Sequence, residues 1–221
     1  MDLSFNDTQR LIQDSTRDFV KAACPREVLL GIDRDPPLMM GGLWRQMTEL
    51  GWAGMAMPEA YGGSGNAMTD VAVLFEELGT GPVPGPLFSS GVLCARILLE
   101  TGSEAQKRAL LPGIASGERV FALAMTEVAY GWTPDRIAMQ ANKQGGDYVL
   151  SGTKVFVHDA LFATDLLVVA GMEGSDGKTS GPSLLRVDAR APGIAIRNLE
   201  GFITGMSEVT FKDVKVAGGD L

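Results

Sequence analysis

The 221-residue chain carries 27 acidic and 19 basic side chains, a formal charge of -8, and has an isoelectric point near 4.7. With no compensating run of Lys or Arg, that balance repels a phosphate backbone and argues against a nucleic-acid partner. Hydrophobic residues make up 45% of the chain and charged residues 21%, with a mean hydropathy of +0.10; this is a globular composition, long enough for one large domain or two small ones.

No apolar run approaches the roughly 20 residues of a membrane helix. The amino-terminal MDLSFNDTQRL lacks the basic and apolar regions of a signal peptide, so the expectation is a cytoplasmic protein with no membrane partner.

The first half has helical periodicity. From Asn6 to Ala23 the apolar residues Leu11, Ile12, Phe19 and Val20 fall on one stripe, which predicts an amphipathic helix. A second helix is expected from about Leu43 to Leu50, with Leu43, Met47 and Leu50 on one face and Gly51 ending it. After the glycine-rich PEAYGGSG, a third covers Met68 to Leu78, burying Val71, Leu74, Phe75 and Leu78, with Gly79 as its cap. On this reading Glu76 and Glu77 belong to its solvated face. The proline-set GPVPGPL leads to a fourth helix, Phe88 to Glu100. Ser103 and Gln106 have capping-box spacing for a fifth, which Pro112 is expected to end.

Near Gly117 the period changes. VFALAMT, RIAMQAN, YVLSGTKVFVH, DLLVVAG, SLLRVDA, GIAIRN and SEVTFKDVKV are short β-branched or alternating segments between turn residues. Their spacing predicts an antiparallel barrel or sandwich. NKQGGDY reads as a hairpin turn, and GMEGSDGKTSGPS as a mobile exposed loop. The fold class is therefore α+β: an amino-terminal helical domain, 1–118, followed by a middle β-barrel domain, 119–221.

Few side chains suggest independent chemistry. Cys24 and Cys94 lack metal or redox spacing and read as buried free thiols. The single histidine, His158, argues against a multi-histidine metal centre, so no metal ligand is nominated. No G-x-S-x-G elbow supplies a hydrolase serine. FALAMTEVAYGWTPD, Phe121 to Asp135, raises a question, because it opens as an apolar strand and breaks at Thr126 and Glu127 into a turn with two large aromatics. Thr126 either lines a pocket or caps an ordinary turn.

In order along the chain, FNDTQRLIQDSTRDF, LWRQMTELGWAGMAMPEAYGGSG, VLFEELGTGPVPGPLFSS, GSEAQKRALLPGIASGE, FALAMTE, YVLSGTKVFVHDALFATDLLVVA and VTFKDVKV resemble successive segments of the acyl-CoA dehydrogenase family. The resemblance implies an FAD-dependent oxidoreductase that converts an acyl-CoA thioester into the trans-2-enoyl-CoA. It implies that the strand ending in TE meets the flavin ring, with Thr126 as the contact and Ala124 and Met125 as backbone contributors. The sequence departs from the family pattern at Trp132, which stands near the place of a small serine and either fills ring space or stacks.

It departs again at Phe156, Val157 and His158, which replace a Trp-Ile-Thr or Trp-Ile-Ser run. Phe156 could pack on the flavin; His158 is either a flavin contact or a solvated strand-end histidine. The resemblance further implies an electron-transferring flavoprotein as electron acceptor.

Family members continue into a carboxy-terminal helical bundle that carries the catalytic glutamate. The expectation is a truncated member, working as part of a homo- or hetero-oligomer, with no catalytic residue assigned among Glu76, Glu77 and Glu127. The alternative is a flavin-free, non-catalytic subunit or remnant serving assembly or acyl-CoA binding.

Overall fold

The computed structural model describes residues 4–34, 40–129, 137–173, 179–200 and 205–220. Its backbone falls into two compact units, Met1–Glu118 and Arg119–Leu221.

In the first unit, helix α1 (Asp7–Ala23) starts at a reciprocal cap. Asn6 Oδ1 accepts from the Gln9 amide at 2.9 Å, and Gln9 Oε1 accepts from the Asn6 amide at 3.2 Å. Its buried face is set by Thr16 and Phe19, and Leu11 is 70% exposed, off the stripe that the period suggested. Helix α2 (Arg26–Arg34), not foreseen in the sequence, follows.

A π-helical turn, Met40–Trp44, runs into α3 (Arg45–Glu49). Leu43 and Met47 are buried as expected, whereas Leu50 is half exposed and Trp44 takes the inward position. The Trp44 indole donates to the Gly117 carbonyl at 3.1 Å.

Helix α4 (Met68–Leu78) has the expected bounds, but Glu77 is buried and not solvated. Arg17 of α1 donates to both its oxygens, at 2.8 and 3.3 Å, which supplies the counter-charge that a buried carboxylate needs.

A second π-helical stretch, Leu87–Cys94, leads into α5 (Ala95–Thr101). Helix α6 (Glu104–Ser116) has the expected Ser103–Gln106 box but does not stop at Pro112, which lies inside it. The fully buried Leu111 and Ile114 hold the last turn in place, so tertiary packing outweighs the missing backbone donor. The helix ends at Gly117, whose left-handed φ of +78° forms the cap.

The glycine-rich loop is equally structural. The amides of Gly63, Ser64, Gly65 and Asn66 donate to the carbonyls of Pro58, Gly54, Met57 and Met55. A Cβ at residue 63 would overlap the Met57 carbonyl, so the close approach requires glycine.

The second unit is a curled sheet whose described strands are β1 (Phe121–Ala124), β2 (Gln140–Gln144), β3 (Asp147–His158), β4 (Asp165–Glu173), β5 (Thr179–Asp188), β6 (Ile194–Asn198) and β7 (Met206–Val216). Their order is β1-β4-β2-β3-β7-β6, with β5 also on β4. The β2–β3, β3–β7, β4–β5 and β6–β7 pairs are antiparallel.

Gly145 and Gly146 form the two-residue hairpin loop between the paired Gln144 and Asp147, Gly145 with φ +66°. Strands β4 and β5 extend into the stretch expected to be a mobile loop, leaving 174–178 outside the described residues. The core is small and aliphatic at β1 and β4 (Ala122, Ala124, Leu166, Val168) and closes on Leu150, Leu185, Val209 and Phe211.

Candidate functional site

Strands β1 and β2 lie end to end along one edge of β4, both parallel to it. Phe121–Ala124 pairs with Asp165–Val168, and Gln140–Ala141 with Gly171–Met172. The chain therefore departs from this edge after Ala124 and rejoins it at Gln140. The Thr-Glu pair sits at the point of departure, and β3 holds it there. The Val155 amide donates to the Thr126 carbonyl at 2.8 Å, and Lys154 Nζ donates to the Met125 carbonyl at 3.1 Å.

The same ammonium meets Glu127 Oε1 at 2.7 Å. Glu127 in turn accepts from the Met139 amide at 3.0 Å and, through Oε2, from the Ala138 amide at 2.7 Å. One carboxylate thus ties the departing chain to the returning one.

Lys154 is completely buried. Burial pushes its ammonium below the ordinary lysine range, against the opposing pull of Glu127. For Glu127 burial is also the largest single influence, and it raises the carboxyl. The Lys154 ammonium and the Met139 and Ala138 amides together outweigh it, so the group titrates below the ordinary carboxylate range.

On β3, residues 155 and 156 form a bulge where pairing with β7 shifts between Lys154 and Val157. Phe156 has φ +55°, a conformation that a bulky side chain adopts only under constraint. The bulge shifts the alternation by one residue: Lys154 and Val155 are both buried, so Phe156, on the parity of the buried Leu150 and Lys154, is turned outward and is 41% exposed, as expected when a bulge re-aims a side chain.

The structure thus brings the Ala124–Thr126 run and the Phe156–His158 run onto adjacent strand ends. Met125 is 45% exposed and Thr126 half-buried, its hydroxyl making no hydrogen bond among the described residues. The side chains of Ala124 and Val157 belong to the core, so these positions can offer only backbone to a ligand. His158 is exposed at the end of β3, opposite Met206. Trp132 lies outside the described residues.

Lys154 went unnoticed in the sequence, although a signal existed. Residues 150, 152 and 154 share one face of β3, and Leu150 faces the core, so a lysine at that parity requires a partner.

Among the described residues no group of three or more His, Cys, Asp or Glu could hold a metal. No described helix is long and apolar enough to cross a membrane. Cys24 and Cys94 are both buried, and neither forms a disulfide among the described residues.

Residues 6–118 match the family model described as acyl-CoA dehydrogenase, N-terminal domain, and residues 122–214 match acyl-CoA dehydrogenase, middle domain. The chain belongs to the acyl-CoA dehydrogenase family.

Among its curated relatives, the acyl-CoA dehydrogenase FadE12 of Mycobacterium tuberculosis is 32% identical over 159 residues, covering 72% of this chain and 41% of its own length. Among solved structures, a chain from the electron transferring flavoprotein of Acidaminococcus fermentans superposes with a TM-score of 0.83 at 29% identity, covering 100% of this chain and 59% of that one. The butyryl-CoA dehydrogenase of Megasphaera elsdenii superposes with a TM-score of 0.85 at 25% identity, again covering 100% and 59%. The acyl-CoA dehydrogenase domains seen here thus span about half the length of the curated relatives they match.

Proposed function

We propose that this chain supplies the first two domains of an FAD-dependent acyl-CoA dehydrogenase, which oxidises an acyl-CoA thioester to the trans-2-enoyl-CoA. One observation supports the cofactor reading: a half-buried threonine, its hydroxyl without a hydrogen bond among the described residues, lies on a segment bonded to β3 beside two exposed apolar side chains, Met125 and the bulge-displaced Phe156. A flat ring that is apolar on its face and polar on its edge suits such a surface. The residues present therefore fit the isoalloxazine in kind.

The Thr126 hydroxyl and the backbone of Ala124 and Met125 would meet the ring edge. Phe156 would cover part of its face, with the backbone of Val157 and His158 beside it and Trp132 in the segment that follows Glu127. FAD, when bound, supplies the hydride acceptor. The protein excludes water and orients the thioester so that proton loss at the α-carbon and hydride loss at the β-carbon are aligned.

Glu77 and Glu127 are engaged by Arg17 and Lys154, and neither is proposed as the base. An electron-transferring flavoprotein is the proposed acceptor, and assembly with further copies or another subunit the proposed state. The flavin-free alternative draws on His158, an exposed imidazole where a small hydroxyl residue would suit a ring edge.

The full natural polypeptide, purified with any partner chain, is expected to show a visible flavin spectrum that bleaches when acyl-CoA is added anaerobically. Colourless protein that neither takes up FAD nor bleaches would overturn the redox reading in favour of the flavin-free subunit.

A further inference from the structure

We infer that Lys154 and Glu127 are positioning residues. Together they hold the Met125–Glu127 segment, and with it Thr126, at a fixed depth against β3. The geometry singles out this function from a merely stabilising ion pair. Lys154 Nζ makes two bonds, one to the Met125 carbonyl (3.1 Å) and one to Glu127 Oε1 (2.7 Å), so it grips the chain on both sides of Thr126. Between these grips the Thr126 carbonyl receives the Val155 amide at 2.8 Å. Val155 is the first residue of the bulge that turns Phe156 outward.

One buried ammonium therefore links the threonine to the bulge carrying the phenylalanine. Glu127 extends the link to the returning strand through the Ala138 and Met139 amides. Without these bonds the segment after Ala124 would lie beyond the last ladder pair of β1, Ala124 with Val168, where a chain end ordinarily frays. That this rigidity serves flavin binding rests on the function proposed above; the rigidity itself does not.

The test separates position from stability. The single variant Lys154→Met leaves a buried carboxylate without its counter-charge, so a loss of folding would be uninformative. The double variant Lys154→Met/Glu127→Gln leaves neither charge behind, and neutral replacement of a buried pair is often tolerated. In the full natural polypeptide, amide hydrogen exchange would be followed at Val155 and at the core strand β4, with FAD affinity measured by fluorescence quenching.

The inference expects β4 protection close to wild type, Val155 exchange faster by about tenfold, and FAD affinity weaker by a similar factor. Restoring Lys154 and Glu127 should reverse both changes. If Val155 stays as protected as in wild type while β4 is also unchanged, the pair holds nothing in position and the inference is overturned. Should the double variant lose β4 protection as well, the polar double variant Lys154→Gln/Glu127→Gln decides, since the shorter neutral amide at 154 cannot hold both bonds: normal β4 protection with fast Val155 exchange supports positioning, and any result in which the two sites change alike overturns it. If wild type binds no FAD and the double variant still shows the Val155 effect, the cofactor reading fails and the positioning role stands.

Discussion

Glu127 and Lys154 show how a residue's surroundings can reverse its apparent role. In the sequence, Glu127 is one more carboxylate in a turn; in the fold it is 2.7 Å from a fully buried ammonium and accepts two backbone amides. Lys154→Met alone is expected to cost about 3–5 kcal/mol in denaturant unfolding, because an uncompensated charge remains.

The pH dependence follows from the direction of the shift. A carboxyl held below its ordinary value of 4.5 contributes stability that is fully present above that value and is lost as pH falls through the lower, folded one. Lys154 acts at the other end of the scale: its depressed value means a cost at neutral pH that shrinks as pH rises toward 10.5. Acid unfolding of wild type should therefore steepen below pH 4.5, and Glu127→Gln should flatten that limb while lowering stability at pH 7. Parallel curves for the two proteins would contradict the assignment.

At the scale of elements, the helices and strands follow local pattern except where packing or a bulge intervenes. The period of α4 and the box at Ser103 are local signals, and both appear as expected. The continuation of α6 through Pro112 is not local, because it depends on the burial of Leu111 and Ile114. An internal proline deprives the helix of one backbone bond, so Pro112→Ala is expected to raise thermal stability by about 1 kcal/mol. An unchanged or lower melting temperature would mean that the local backbone is fitted to the proline ring.

The bulge at Phe156 is likewise invisible in KVFVHDA, where strict alternation would keep Phe156 and His158 on the face of the buried Lys154. The misregister with β7 sends Phe156 outward between two buried valines.

For the whole molecule, charge and exposed apolar surface act in opposite directions. A formal charge of -8 keeps copies apart at neutral pH, while Met125, Val128, Phe156 and Leu161, each at least 41% exposed, favour covering by a ligand or another chain. Sedimentation velocity at pH 7 is expected to show an assembly heavier than the 23.4 kDa chain. A single 23.4 kDa boundary that binds no apolar dye would rule this out.

The sequence alone determined the family, the passage from helices to strands near residue 118, the capping box of α6 and the hairpin at Gly145. Each depends on residue types at short range, where periodicity, capping and turn chemistry act without knowledge of distant partners. Only the tertiary structure decided that Glu77 is buried, that Pro112 lies inside a helix, that Phe156 points outward and that Lys154 grips the backbone around Thr126. These follow from contacts between residues far apart in the chain, such as Arg17 with Glu77 and Lys154 with Glu127. A buried charge is stable only where the fold delivers its partner, and that delivery is not written in any local stretch.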